Sequence, residues 1–70
     1  MENKFTVIKT IIGEEVFYGV ADSFGNKEEM ISISEEEVQN FANWLNEAGD
    51  VDFIHIHDLM GNFFYDIIER

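Results

Sequence analysis

Fifteen Asp and Glu residues stand against four Lys and Arg in this 70-residue chain, a formal charge of −11, so any chemistry written into it is first of all carboxylate chemistry. Carboxylates can trade protons as an acid–base pair, ligate hard cations, or present negative charge to a cationic surface. The first use needs a cleft that drives two pKa values apart. The second needs oxygen ligands at alternating positions, which the repeated D-x-x-G-N segments lack. The third needs only density. Such charge opposes compaction by self-repulsion and favours fast, salt-sensitive association with positive surfaces. A small domain stays soluble with a net charge of about 2–8 in magnitude, so the excess points outward, towards a basic partner.

Other reactive types are sparse. His55 and His57, the only histidines, lie two apart in Ile54-His55-Ile56-His57-Asp58, and in a strand both rings project from one face. Two imidazoles can begin a zinc site, but Asp58 would point to the opposite face; solvent-facing histidines behind a core-facing Ile54 and Ile56 are the simpler reading, and no metal is assigned. Without Cys there is neither a thiol nucleophile nor a disulfide. Ser23, Ser32 and Ser34 lack a nucleophile-elbow setting, and no glycine-rich phosphate loop occurs. The expectation is a non-enzymatic protein without a cofactor. Phe24, at the tip of a turn and flanked by acids, is a candidate aromatic anchor for a partner.

Elements to position these groups can be read along the chain. Residues 4–12 and 15–22 are rich in β-branched and aromatic types and read as strands, joined by a tight turn at Gly13-Glu14. Asp22-Ser23-Phe24-Gly25-Asn26 suits a type I turn followed by a left-handed residue, leading to a third strand over residues 28–33. Ser34 with Glu37 three residues on forms a capping box, after which Val38, Phe41, Ala42, Leu45 and Ala48 recur at helical spacing up to Gly49. Trp44 lies at the edge of that apolar stripe. Asp58-Leu59-Met60-Gly61-Asn62 repeats the D-x-x-G-N pattern between an Ile-rich run at 52–58 and an aromatic run at 63–68, which predicts a second hairpin. The expected order is β-β-β-α-β-β: a single α+β domain over residues 1–70, with one helix on one face of a mostly antiparallel sheet.

Direction then groups the acids. A helix of about 14 residues is about 21 Å long, enough to cross the sheet once and return the chain to its other end, with a fourth strand parallel to the third. Glu14, Glu15, Glu35, Glu36 and Glu37, joined by Asp58, should gather at the end where the second strand begins (end A). Asp22, Glu28, Glu29, Glu47, Asp50 and Asp52, with Glu69, should gather at the other (end B). The sheet face away from the helix has no element to cover it. Such a face suggests a homodimer or another partner there.

A core this small needs support, and with disulfides excluded oligomerisation is the option left most open. The start Met1-Glu2-Asn3-Lys4-Phe5 lacks the features of a signal peptide, no apolar run approaches the ~20 residues of a bilayer span, and the expected location is the cytoplasm. Lys4, Lys9, Lys27 and Arg70 are too scattered for a patch that binds nucleic acid or anionic lipid directly. In size, charge and lack of cysteine the chain looks like the small acidic inhibitors of phages and mobile elements and the acidic immunity proteins that neutralise nuclease toxins. That likeness implies a DNA-mimicking, anti-defence or nuclease-inhibiting protein whose partner is itself a basic, nucleic-acid-binding protein. The alternative is a homodimeric interaction module whose acidity serves solubility.

Overall fold

A computed structural model describes residues 3–68 and builds them in the order β1 (Thr6–Ile12), β2 (Glu15–Ala21), β3 (Lys27–Ser32), α1 (Glu35–Ala48), a 3-10 turn at Phe53–His55, and α2 (Ile56–Ile68). The three strands form one antiparallel sheet in the order β1-β2-β3. The protein is thus a small α+β domain with a second helix where two more strands were expected.

The first half follows its turn chemistry. Gly13, at φ 63°, opens a two-residue turn between Ile12 and Glu15, a type II′ arrangement that suits the twist of the strands it joins. At the second turn the Gly25 N–H closes on the Asp22 carbonyl at 3.4 Å, and Gly25 takes φ 89°, which an L side chain resists. Between β2 and β3 the register breaks: Tyr18 faces Ser32 and Val20 faces Glu28, so Gly19 alone stands opposite three residues of β3. A Cβ on Gly19 would overlap the Glu28 carbonyl oxygen. The bulge therefore exists only because residue 19 has no side chain.

The α1 stripe is buried as its spacing requires, with Val38, Phe41, Ala42 and Leu45 fully enclosed together with Phe5, Val20 and Ile56. Burying side chains of this size is worth about 1.5–3 kcal/mol each. The capping box forms by an indirect route. Ser34 Oγ accepts from the Glu37 N–H at 3.3 Å, but Glu37 Oε2 takes the Ser32 hydroxyl at 3.1 Å, and Ser32 Oγ in turn accepts the Ser34 N–H at 3.0 Å. Gly49, at φ 91°, ends the helix.

From residue 52 onward the structure departs from the expected hairpin. Asp52 Oδ1 accepts the Ile54 N–H at 3.2 Å and starts a 3-10 turn, which passes directly into α2. Ile56, Leu59, Met60, Phe63 and Phe64 have the i, i+3, i+4, i+7, i+8 spacing of one helical face, and all pack on the core. Phe63 and Phe64 sit 5.3 Å and 5.4 Å from the Phe41 ring, and Trp44 lies 5.3 Å from Phe63. This aromatic cluster outweighs the turn propensity of Asp58-Leu59-Met60-Gly61-Asn62. Among the described residues there is no fourth or fifth strand, no parallel crossover and no second hairpin. The molecule is 18 Å in its thinnest dimension, as two layers require, with Ile8, Thr10, Ile12 and Phe17 on the sheet face turned from the helices.

Candidate acidic interface

α1 returns the chain along the sheet, and its two ends decide where the carboxylates stand. α1 starts beside the end of β3 and finishes beside the start of β1, where Asn46 holds Phe5: its Oδ1 accepts the Phe5 N–H at 2.8 Å, and its Nδ2 donates to the Phe5 carbonyl at 2.9 Å. Asp50 and Asp52 follow directly, next to the β2–β3 turn.

Asn3 ties this end together. It is 4% exposed, its Nδ2 donates to Asp22 Oδ2 at 2.9 Å and to the Val51 carbonyl at 3.0 Å, and its Oδ1 accepts the Ser23 N–H at 3.0 Å. Its own N–H donates to Asp50 Oδ1 at 3.1 Å. One buried residue thus bridges three segments, its side chain holding Asp22 and its backbone N–H holding Asp50. Among the described residues no buried side-chain polar atom lacks a partner, so the arrangement stands without strain. Asp22 is further held by the Asn26 N–H at 2.8 Å, the Asn26 amide at 3.0 Å and the Phe24 N–H at 3.0 Å. Burial alone would raise the Asp22 pKa, but the hydrogen bonds from Asn26, Asn3 and Phe24 together outweigh it and hold the carboxyl below its ordinary value. Asp22, Asp50 and Asp52 line an open recess of about 400 Å³ with Asn3, Phe24, Asn26 and Val51. Phe24 stands at its rim, 62% exposed.

End B therefore gathers the acids expected there, with Glu47 in the last turn of α1 and Glu28 and Glu29 on the β3 strand that leaves the same turn. Glu28 is engaged: its Oε2 lies 2.8 Å from His57 Nε2. Glu69 lies outside the described residues. End A gathers Glu14 and Glu15 at the hairpin and Glu35, Glu36 and Glu37 in the first turn of α1, the last tied to Ser32. Asp58 does not join them. It lies in the first turn of α2, next to the His57 that contacts Glu28, and so belongs with end B because the strand that would have carried it to end A is a helix.

The histidine pair is likewise corrected. His55 closes the 3-10 turn and His57 lies in α2, where residues two apart do not share a face. Among the described residues no three His, Asp or Glu side chains cluster as metal ligands would. No described Lys comes within ion-pair distance of a carboxylate. Among the described residues, then, no lysine neutralises the acids of either end, although Glu28 meets His57. No described helix is long and apolar enough to cross a membrane.

Asn3, Asn46 and Gly19 are the positions that sequence reasoning missed. The first two act through contacts across 19 to 48 residues, which no local pattern announces. Gly19 interrupts an otherwise β-branched and aromatic strand, and that isolated glycine is a readable sign of a bulge. No family model, no curated protein and no solved structure matches the chain.

Proposed function

We propose that the chain is a non-enzymatic acidic inhibitor that occupies the basic groove of a nucleic-acid-processing protein, of the kind phages and mobile elements use against host defences or cells use against nuclease toxins. The observation that carries this reading is the construction of end B. Asp22 and Asp50 are fixed by one buried asparagine, Asp52 shares their recess, no lysine neutralises them, and an exposed aromatic stands at the rim. Fixed carboxylates along an edge can substitute for duplex phosphates, which present one charge per about 1.7 Å of axis. Exposed Phe24 supplies the apolar anchor that a purely electrostatic contact lacks.

Affinity capture from host lysate at low and high salt, followed by competition with DNA or RNA, tests the reading. The complex should weaken steeply with ionic strength, and nucleic acid should displace the chain from its target. Retention of no basic protein at low salt, or retention indifferent to nucleic acid, would sink the inhibitor reading. The second reading, a homodimeric interaction module in the cytoplasm, is favoured by Ile8, Ile12 and Phe17 on a sheet face that neither helix covers.

A further inference from the structure

We propose that β1 pairs edge to edge with β1 of a second copy of this chain, joining two three-stranded sheets into one six-stranded antiparallel sheet about a two-fold axis. The inference rests on the sheet edge and does not depend on the inhibitor reading of end B.

The strand order leaves two edges, and they differ. The β3 edge is broken by the bulge over Gly19 and carries Glu28 and Glu29, both of which discourage pairing. The β1 edge is continuous: all seven residues pair in register with β2, with no bulge, proline or acid among them. The two-residue turn makes Ile12 and Glu15 the closing hydrogen-bonded pair, so Phe5, Val7, Lys9 and Ile11 turn their N–H and C=O groups away from β2. Phe5 bears this out, since both its groups are taken by Asn46 at the free edge. That clamp ends at Phe5. Among the described residues nothing bonds to the N–H and C=O groups of Val7, Lys9 and Ile11, which leaves a row of three donors and three acceptors beside Ile11 and Ile12 side chains that are 64% and 52% exposed.

Charge selects a second copy as the occupant. Residues 3–12 contain Lys4 and Lys9 and no acid, so β1 is where two chains of charge −11 can meet with least repulsion. Antiparallel pairing lays the start of one β1 against the end of the other, which brings Lys4 of each copy to Glu14 and Glu15 in the hairpin of its mate. That complementarity is satisfied twice by one two-fold axis, as an isologous interface requires. A register centred on Lys9 pairs Val7 of each copy with Ile11 of the other and lays Lys4 opposite Glu14; it sets the two Lys9 side chains opposite each other, a repulsion that the two Lys4–Glu14 pairs offset.

Sedimentation equilibrium of the full chain over rising concentration, with amide exchange measured at the same concentrations, tests the proposal. A dimer should form, and exchange at Val7, Lys9 and Ile11 should slow in step with its population. Lys9→Pro removes one outward N–H at a position where an edge tolerates proline, and should abolish the dimer with the circular dichroism spectrum unchanged. Lys4→Glu should weaken dimerisation by about tenfold, or 1.4 kcal/mol, and Glu14→Lys added to it should restore the affinity. If Lys9→Pro fails to fold, the Lys4 and Glu14 pair and the wild-type amides still decide. A chain that stays monomeric at millimolar concentration would overturn the proposal. So would a dimer in which those amides exchange as in the monomer, or one lost in Phe17→Ser and kept in Lys9→Pro.

Discussion

The Asn3 side-chain amide donates to the Asp22 carboxylate at 2.9 Å while the Asn3 backbone N–H donates to Asp50 at 3.1 Å, so one buried residue holds two acids of end B in a fixed relation. Without it, each carboxylate would be left to find its own rotamer and its own solvation. The position of the charge, and not only its amount, is thereby built into the fold.

Asn3→Ala should therefore cost stability and binding together. It leaves the Val51 carbonyl and the Ser23 N–H without their partners, a loss of about 1–3 kcal/mol. Urea unfolding should show the lower midpoint with an unchanged slope. Affinity for a captured target should fall further than that of a variant destabilised equally elsewhere, because Asp22 loses the side-chain amide that positions it, while the residue 3 N–H still holds Asp50.

Asp22 gives a pH signature. Its folded pKa is held below the ordinary aspartate value, so its contribution to stability is fully present above that value and is lost as pH falls through the folded pKa. Asp22→Asn removes this contribution. The stability difference between wild type and Asp22→Asn should be largest near neutral pH and shrink as pH falls below about 4, where the unfolded chain takes up a proton before the folded carboxyl does. Chemical denaturation of both proteins at pH 7 and pH 3 measures it, and an equal gap at the two pH values would contradict the assignment.

Gly19 is a test of the bulge. A Cβ there would lie 2.7 Å and 2.8 Å from the carbonyl carbons of Glu29 and Glu28, and backbone cannot swing aside as a side-chain end can. Gly19→Ala should cost about 3 kcal/mol or more, and in a domain of this size that is enough to leave much of the chain unfolded. Thermal unfolding followed by circular dichroism reads the effect.

The two ends of the molecule can be separated by charge reversal once a target is in hand. Asp50→Lys with Asp52→Lys alters the recess beside Phe24, whereas Glu35→Lys with Glu36→Lys alters the first turn of α1. The first pair should weaken binding at low salt by about tenfold or more and the second by far less. Phe24→Ala should cost about 2 kcal/mol of binding with little change in stability, as its exposure implies. Isothermal titration at two ionic strengths distinguishes these outcomes.

How far the sequence could be read depended on whether local or distant contacts decided the conformation. The Gly13 and Gly25 turns, the Ser34 cap, the stripe from Val38 to Leu45 and the Gly49 stop all depend on residues within one turn of each other, and they stand where the sequence placed them. So do most acids of ends A and B, because those ends follow from strand direction alone. The region after Asp52 was misread because Asp58-Leu59-Met60-Gly61-Asn62 copies the Asp22–Asn26 turn while its apolar neighbours carry a helical period. The decision fell to Phe41 and Trp44, which accept Phe63 and Phe64 only if residues 56–64 are helical. Ile-rich and aromatic runs of this length fit a strand or a buried helix equally well by composition.

That ambiguity leaves a direct test at Gly61. In a hairpin of the Asp22–Asn26 type, Gly61 would need a positive φ and alanine would be strained there. In α2 its φ is not positive, and an added Cβ meets nothing within 4 Å. Glycine in a helix interior costs about 0.5–1 kcal/mol relative to alanine because it loses more backbone freedom on folding. Gly61→Ala should therefore stabilise the protein by that amount and raise its melting temperature by about 2–8 °C. A fall in melting temperature would return the Asp58–Asn62 segment to a turn and remove the helix that places His57 beside Glu28.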